Sequence, residues 1–257
     1  MKKVQFLVAA LFTVLICTAA VAHDFSEADA AFALREDSST IAKTRGLYEQ
    51  ALNSSASKED LLHAVERLGK LAYYEGELLL SQDDSSKRKQ IFSKCLEYVE
   101  NINPAKIGKS ENYFYWKTSC LALWGRAAGM ISAAVRLGEL KDNMKQGLEF
   151  NTDYAGGGMH RVVATIHLRA SWLSGLQDYE KALVQINEAA QKGPEYFNVY
   201  VVKAEILKAL DRGNEALVVL ETAKRELEKL IRAKQLPVNL GPESKIFLNQ
   251  IKAALRN

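Results

Sequence analysis

Two stretches of this chain match one another 34 residues apart. Residues 180–194 read EKALVQINEAAQKGP and residues 214–226 read NEALVVLETAKRE, so Ala182, Ile186 and Ala189 recur as Ala216, Leu220 and Ala223. Positions i, i+4 and i+7 share one face of a helix. Small residues at two of the three let helix backbones approach, and the larger residue between them fills the groove. One helix pair cannot bury its own apolar face, whereas stacked pairs bury a continuous core. The pattern therefore constrains the chain to a stack of helical units.

A period of 34 residues in helix-turn-helix units is the signature of tetratricopeptide (TPR) repeats. Upstream segments carry looser copies. Phe92, Leu96, Val99 and Pro104 stand at the offsets of Ala182, Ile186, Ala189 and Pro194; Thr44, Tyr48 and Ala51 form another set, and Gly147 is a further counterpart of Ala189. Equivalent positions 51, 99, 147, 189 and 223 are spaced 48, 48, 42 and 34, so the earlier units need longer helices or inserted loops. Leu68-Gly69 supplies the large-small pair of a first helix.

No strand pattern interrupts the helical period after residue 23. Helices are expected near 26–36, 39–53, 57–76, 84–101, 110–127, 130–150, 158–174, 178–191, 195–211, 213–233 and 242–255. Pro104, Pro194, Pro237 and Pro242 all fall at expected helix ends or starts. Asp178 and Asn214 stand where a helix start wants a side-chain oxygen. The expectation is an all-α, TPR-like superhelix of about four to five helix pairs plus a C-terminal helix.

The first residues read differently. Lys2 and Lys3 precede the apolar run VQFLVAALFTVLICTAAVA, which closes on Ala20-Val21-Ala22 before a polar sequence. A basic start, a short apolar core and an A-x-A site describe a secretory signal peptide cut after Ala22. Phe6 to Cys17 is too short for a spanning helix of about 20 residues. Cys17 follows Ile16, where a lipid-attachment site wants a small residue, which argues against anchoring there. The reading is a signal peptide over 1–22, one helical-repeat domain over 23–257, and a periplasmic location. Removing 1–22 takes two lysines from 34 basic residues and none from 31 acidic ones, leaving 32 against 31. A near-neutral chain offers no electrostatic case for nucleic acid. Cys95 and Cys120 remain, free to pair in an oxidising compartment or to sit as small buried thiols.

Two segments go beyond a generic repeat. Asn112 to Gly129, NYFYWKTSCLALWGRAAG, puts Tyr115 and Trp116 at the head of a helix ending in Gly125-Arg126. The segment GLEFNTDYAGGGMHRVVATIHLRA then runs through a triple glycine to a helix led by Arg161. With the start ADAAFALREDSSTIAKTRGLYEQAL, the chain over about residues 25 to 225 resembles the T component of some TRAP transporters, the TatT-like family. The resemblance implies a non-catalytic exported helical-repeat protein that partners the periplasmic substrate-binding protein of a TRAP-type transporter. It further implies that the protein holds or relays an apolar small molecule; a homo-oligomer is a separate expectation among its partners. The alternative is a periplasmic TPR scaffold that grips peptides of envelope proteins in a concave groove.

The candidate binding residues are Tyr113, Tyr115, Trp116, Trp124, Gly157, Gly158 and Arg161. Residues 113 to 116 point in every direction around one helical turn, so some of these rings are expected to face a partner or cavity. Trp116, Cys120 and Leu123 form an ordinary packed stripe, and Tyr113 is the expected outward anchor. Gly156-Gly157-Gly158 reads first as a tight helix entry, second as an anion-binding turn. Arg161 stands against the helix dipole in the first turn, which calls for a specific carboxylate or carbonyl partner, most simply an internal one. NPAKIGKS lacks the first glycine of a phosphate loop and follows no strand. His160 and His167 share a helix face without a third ligand. No catalytic motif, metal motif or cofactor fingerprint occurs.

Overall fold

The computed structural model describes residues 24–53, 57–236 and 242–256. The apolar run read as a signal peptide, its cleavage point after Ala22, Cys17 and Pro237 lie outside these residues. All regular structure among the described residues is helical. The first half holds α1 (Ser26–Ala33), α2 (Ser38–Asn53), α3 (Lys58–Tyr73) with a π-helical continuation (Tyr74–Leu79), and α4 (Ser85–Glu100). A short α5 (Pro104–Ile107) leads to α6 (Glu111–Ala128), α7 (Met130–Val135) and α8 (Leu137–Leu148). Then come α9 (Gly158–Arg169), a 3-10 turn (Trp172–Ser174), α10 (Tyr179–Lys192), α11 (Asn198–Ala209), α12 (Gly213–Ala233) and α13 (Glu243–Ala254).

Local chemistry sets several of these boundaries. Ser57 and Asp60 form a reciprocal capping box at the start of α3. The Asp178 side chain accepts from Lys181 N at 2.9 Å and starts α10, as its sequence position predicts. Asn214 does not cap: α12 begins one residue earlier, with Arg212 at its cap position and no side-chain cap. The single helix expected over 130–150 is two. Gly129 adopts φ 87°, and Arg136, at φ −108°, breaks the run between α7 and α8. The helix expected to reach residue 174 stops at Arg169, because Ala170 is extended and the Ser171 side chain opens a new turn by accepting from Leu173 N.

The helices pack in two layers. In one, α3 touches α6, α6 touches α9, α9 touches α11, and α11 touches α13. Between these lie α4, α8, α10 and α12, each packed against the layer helix before it and the one after it. The chain thus alternates between layers, and neighbours in sequence are neighbours in space. Cys95 and Cys120 form a disulfide that ties α4 to α6, with Cα atoms 5.5 Å apart.

The repeat register is read directly in the burial. Ala182, Ile186 and Ala189 are buried, and so are Ala216, Leu220 and Ala223. The looser copies follow: Thr44, Tyr48 and Ala51 on α2, Phe92, Leu96 and Val99 on α4, and Gly147 on α8 are all buried. These positions lie on α2, α4, α8, α10 and α12, the second helix of each successive unit.

Between units, a small residue on one helix receives a large side chain from another. A Cβ on Gly69 of α3 would lie 2.2 Å from the Trp116 ring, and one on Gly147 would lie 2.5 Å from the Met159 thioether. Within one unit, Gly76 in the π-helical segment takes the Phe92 ring of α4 in the same way, at 2.5 Å. Gly69→Ala is therefore expected to lower stability by about 1–3 kcal/mol, because the indole has nowhere to move. Gly46, inside α2, has nothing within 4 Å of an added Cβ, and Gly46→Ala should raise stability by about 0.5–1 kcal/mol. Denaturant melts of both variants check this opposition of sign.

Candidate functional site

The triple glycine and the head of α6 meet at one junction. Ala155, Gly156 and Gly157 all have positive φ, at 51°, 56° and 69°, so the chain makes a left-handed turn before α9. The turn must pack closely on three sides. A Cβ on Gly156 would lie 2.7 Å from the Tyr196 ring, one on Gly157 3.0 Å from the Ala189 backbone, and one on Gly158 2.7 Å from the Tyr115 ring. A left-handed turn in direct contact with other elements leaves only glycine at 156 and 157.

Arg161 finds the carbonyl partner its placement demands. It is buried, and its guanidinium donates to the carbonyls of Ala155 and Gly156 at 3.3–3.4 Å. Its other side lies over the Tyr196 ring, 4.7 Å from the centroid. The positive charge thus stabilises the carbonyl ends of the turn it follows. Turn amides are used internally too: Gly156 N donates to Asp153 O at 3.1 Å and Gly158 N to Tyr154 O at 2.9 Å.

On the α6 side, Tyr115 stands edge-on to Trp116 and to Tyr154, with centroids 4.8 and 5.3 Å away. Trp116 lies on Gly69 and donates from Nε1 to the Tyr154 hydroxyl at 3.0 Å, which donates to Glu66 Oε2 at 2.7 Å. Lys70 completes the chain at 2.5 Å from Glu66 Oε1. Burial alone would raise the Glu66 carboxyl, but Lys70 and the Tyr154 hydroxyl outweigh it and hold it below 4.5. Burial, followed by the charge of Glu66, pushes the Tyr154 phenol far up, so it stays a donor.

Tyr115, Trp116, Gly157, Gly158 and Arg161 therefore belong to a single junction of α3, α6, α9 and the end of α10. Tyr113 and Trp124 do not. Tyr113, expected as the outward anchor, is buried against Phe114 with its ring 5.9 Å from Lys117 Nζ. Trp124 lies under Arg136 at 5.7 Å. Both face α4 and α8 because they sit on the Cys120 side of α6, where the disulfide draws the helices together. Tyr113 is a packing residue and offers no free ring to a partner.

The junction opens on a cluster that the sequence did not single out. Tyr73, at the end of α3, is half-buried, and Glu77, Arg169, Tyr115 and Arg161 all lie close enough to act on its phenol. Burial first, and Glu77 next, raise that phenol above its ordinary value. Arg169 pairs with Glu205 of α11 at 2.9 Å, and Glu77 accepts from both Arg88 and Arg126. Tyrosines and arginines of α3, α6 and α9 are thus grouped on the layer of first helices. Glu66 and Lys70 have the i,i+4 spacing of any surface ion pair, and Tyr154 lies in a loop outside any helical period, so periodicity gives no sign of either.

No protein-family model matches the chain, and no curated protein is significantly similar to it. Among the described residues, no helix is long and apolar enough to cross a membrane, and no group of three or more His, Cys, Asp or Glu could hold a metal ion.

The junction makes a pH prediction. Glu66 has a folded pKa below its unfolded one, so its stabilisation is present above pH about 4.5 and is lost as pH falls through the folded value. Glu66→Gln should be less stable than wild type by about 1–2 kcal/mol at neutral pH, and the gap should close in acid. Thermal melts of both proteins between pH 7 and pH 3 measure the gap; one that stays constant would remove Glu66 from this account.

Proposed function

We propose that this protein is a non-catalytic, exported TPR-type scaffold whose helix pairs wind into a superhelix. Its binding face is the layer formed by α3, α6, α9 and α11. Its partner is the periplasmic substrate-binding protein of a TRAP-type transporter, and the same face holds an apolar part of the ligand. The observation that carries this reading is the group of Tyr73, Tyr115 and Arg169, partly exposed aromatic and arginine side chains of α3, α6 and α9 beside the buried Arg161. Such residues dominate the energetics of protein interfaces, where a few anchors act among nearly neutral contacts. The resemblance of the α6 head and of the glycine turn to the TatT-like family supplies the class of partner.

The location is supported by the Cys95–Cys120 disulfide, because such bonds persist in oxidising compartments. A burial of this kind, with the bond tying two successive units, makes it part of the core. Peptide capture by an envelope scaffold would use the same face, but no feature of the cluster favours an extended peptide.

Arg169→Glu tests the reading with little risk to the fold, since its ion pair with Glu205 is about one-third exposed and such pairs contribute about 0–1 kcal/mol. Wild-type protein used as bait in a periplasmic extract should retain a transporter substrate-binding protein, identified by mass spectrometry. Arg169→Glu should retain at least about tenfold less, a loss of 1.4 kcal/mol or more. Recovery of no such protein, or equal recovery by both baits, contradicts the proposal.

A further inference from the structure

On the opposite side of the stack, α8, α9 and α10 enclose a cleft of about 380 Å³ that plays no part in the junction. It lies where the repeat departs from regularity. The interval from Gly147 to Ala189 is 42 residues instead of 34, and the extra chain lies in the two connections on either side of α9, residues 149–157 and 170–178. The two outer helices α8 and α10 flank α9 without closing over it. Met144 and Val163 form an apolar floor, and Val184 projects from α10 at 59% exposure with no apolar cover.

The rim is cationic. Lys141 and Lys145, one turn apart on α8, both line the cleft and make no ion pair among the described residues, while Lys181 faces them from α10. Lys181 has a partner in Asp178 at 3.0 Å, on an exposed helix start, and no acidic side chain among the described residues lines the cleft. Like charges at i,i+4 cost a helix a few tenths of a kcal/mol when nothing sits between them. Two polar groups are also oriented toward the space by bonds behind them. His167 is fixed through Nδ1, 2.6 Å from the Leu176 carbonyl, which makes that nitrogen the proton-bearing one and leaves Nε2 free. Gln185 has its Oε1 2.6 Å from His160 Nδ1, so the Gln185 amide NH2 is left to donate.

We infer that this cleft binds a small amphiphilic anion, a carboxylate or phosphate head on a short apolar body. The head lies between Lys141, Lys145 and Lys181 and accepts from the Gln185 amide, while the body covers Val163, Met144 and Val184. The volume is at the small end of ligand sites, which run from about 300 to 1,000 Å³. This site is separate from the proposed docking face, so neither reading depends on the other.

Octanoate and monooctyl phosphate, titrated calorimetrically into the full chain at low ionic strength, test it. At least one should bind at a single saturable site. 1-Octanol and octyltrimethylammonium, which have the same tail without the anion, should bind at least about tenfold more weakly. Lys141→Ser/Lys145→Ser should lower affinity for the anion at least tenfold with its thermal melt nearly unchanged, because among the described residues neither ammonium group has an ion-pair partner. Val184→Ser should weaken binding of the octyl anion and leave that of inorganic phosphate as it was. The preferred head tells whether the ligand is a carboxylate or a phosphate. No saturable binding of either anion, equal binding of octanol, or an affinity unmoved by the double variant would each overturn the assignment.

Discussion

The fold depends on close approach between helices, achieved by setting a small residue against a large one. Trp116 lies where a Cβ on Gly69 would be, Met159 where one on Gly147 would be, and Tyr115 where one on Gly158 would be. Each contact joins helices of different units. In close-packed interiors such contacts are intolerant of even one added carbon, so a few glycines fix how each unit sits on the next. The same seams position the candidate binding face, since Trp116, Tyr115 and Gly158 hold α3, α6 and α9 in one layer.

The polar parts of the junction follow from that packing. Pressing α6 onto α3 buries the Trp116 N–H, which must find an acceptor. It finds the Tyr154 hydroxyl, which is in turn anchored on Glu66 and Lys70. Pressing the glycine turn onto Tyr196 and α10 leaves the carbonyls of Ala155 and Gly156 needing donors, and the buried Arg161 guanidinium serves both. Side chains that look functional in the sequence are therefore partly the solution to a burial problem. The surface proposed for a partner is the adjoining cluster of Tyr73, Arg169 and Glu205.

Much of the helical frame is legible in the sequence. The 34-residue spacing identifies Ala182, Ile186, Ala189 and their counterparts as buried, and the copies at Ala51, Val99 and Gly147 follow although their spacing is irregular. This works because burial on a helix face imposes a period that local sequence must obey. Breaks inside helices were less visible. Arg136 divides α7 from α8 without any proline or glycine at the break itself, and in the π-helical segment after Tyr73 Gly76 is the one residue that departs from ordinary helix formers. The site was legible only where residues are locally unusual, as in the triple glycine and Arg161. The burial of Tyr113 was not, because the α4 and α8 surfaces that cover it lie elsewhere in the chain. Nor were Glu66 and Tyr154, 88 residues apart, since only the folded stack brings them together.

If units are joined mainly to their neighbours through these seams, stability should be distributed along the stack. Native-state hydrogen exchange followed residue by residue measures that distribution most directly. The account predicts slowest exchange in α6 and α9, which the indole, the tyrosines and the glycine turn hold from both sides, with α1 and α13, tied to one another by the Arg35–Glu243 ion pair, opening first and together. Exchange of α1, α6 and α13 through one common opening, with the same free energy, would contradict it.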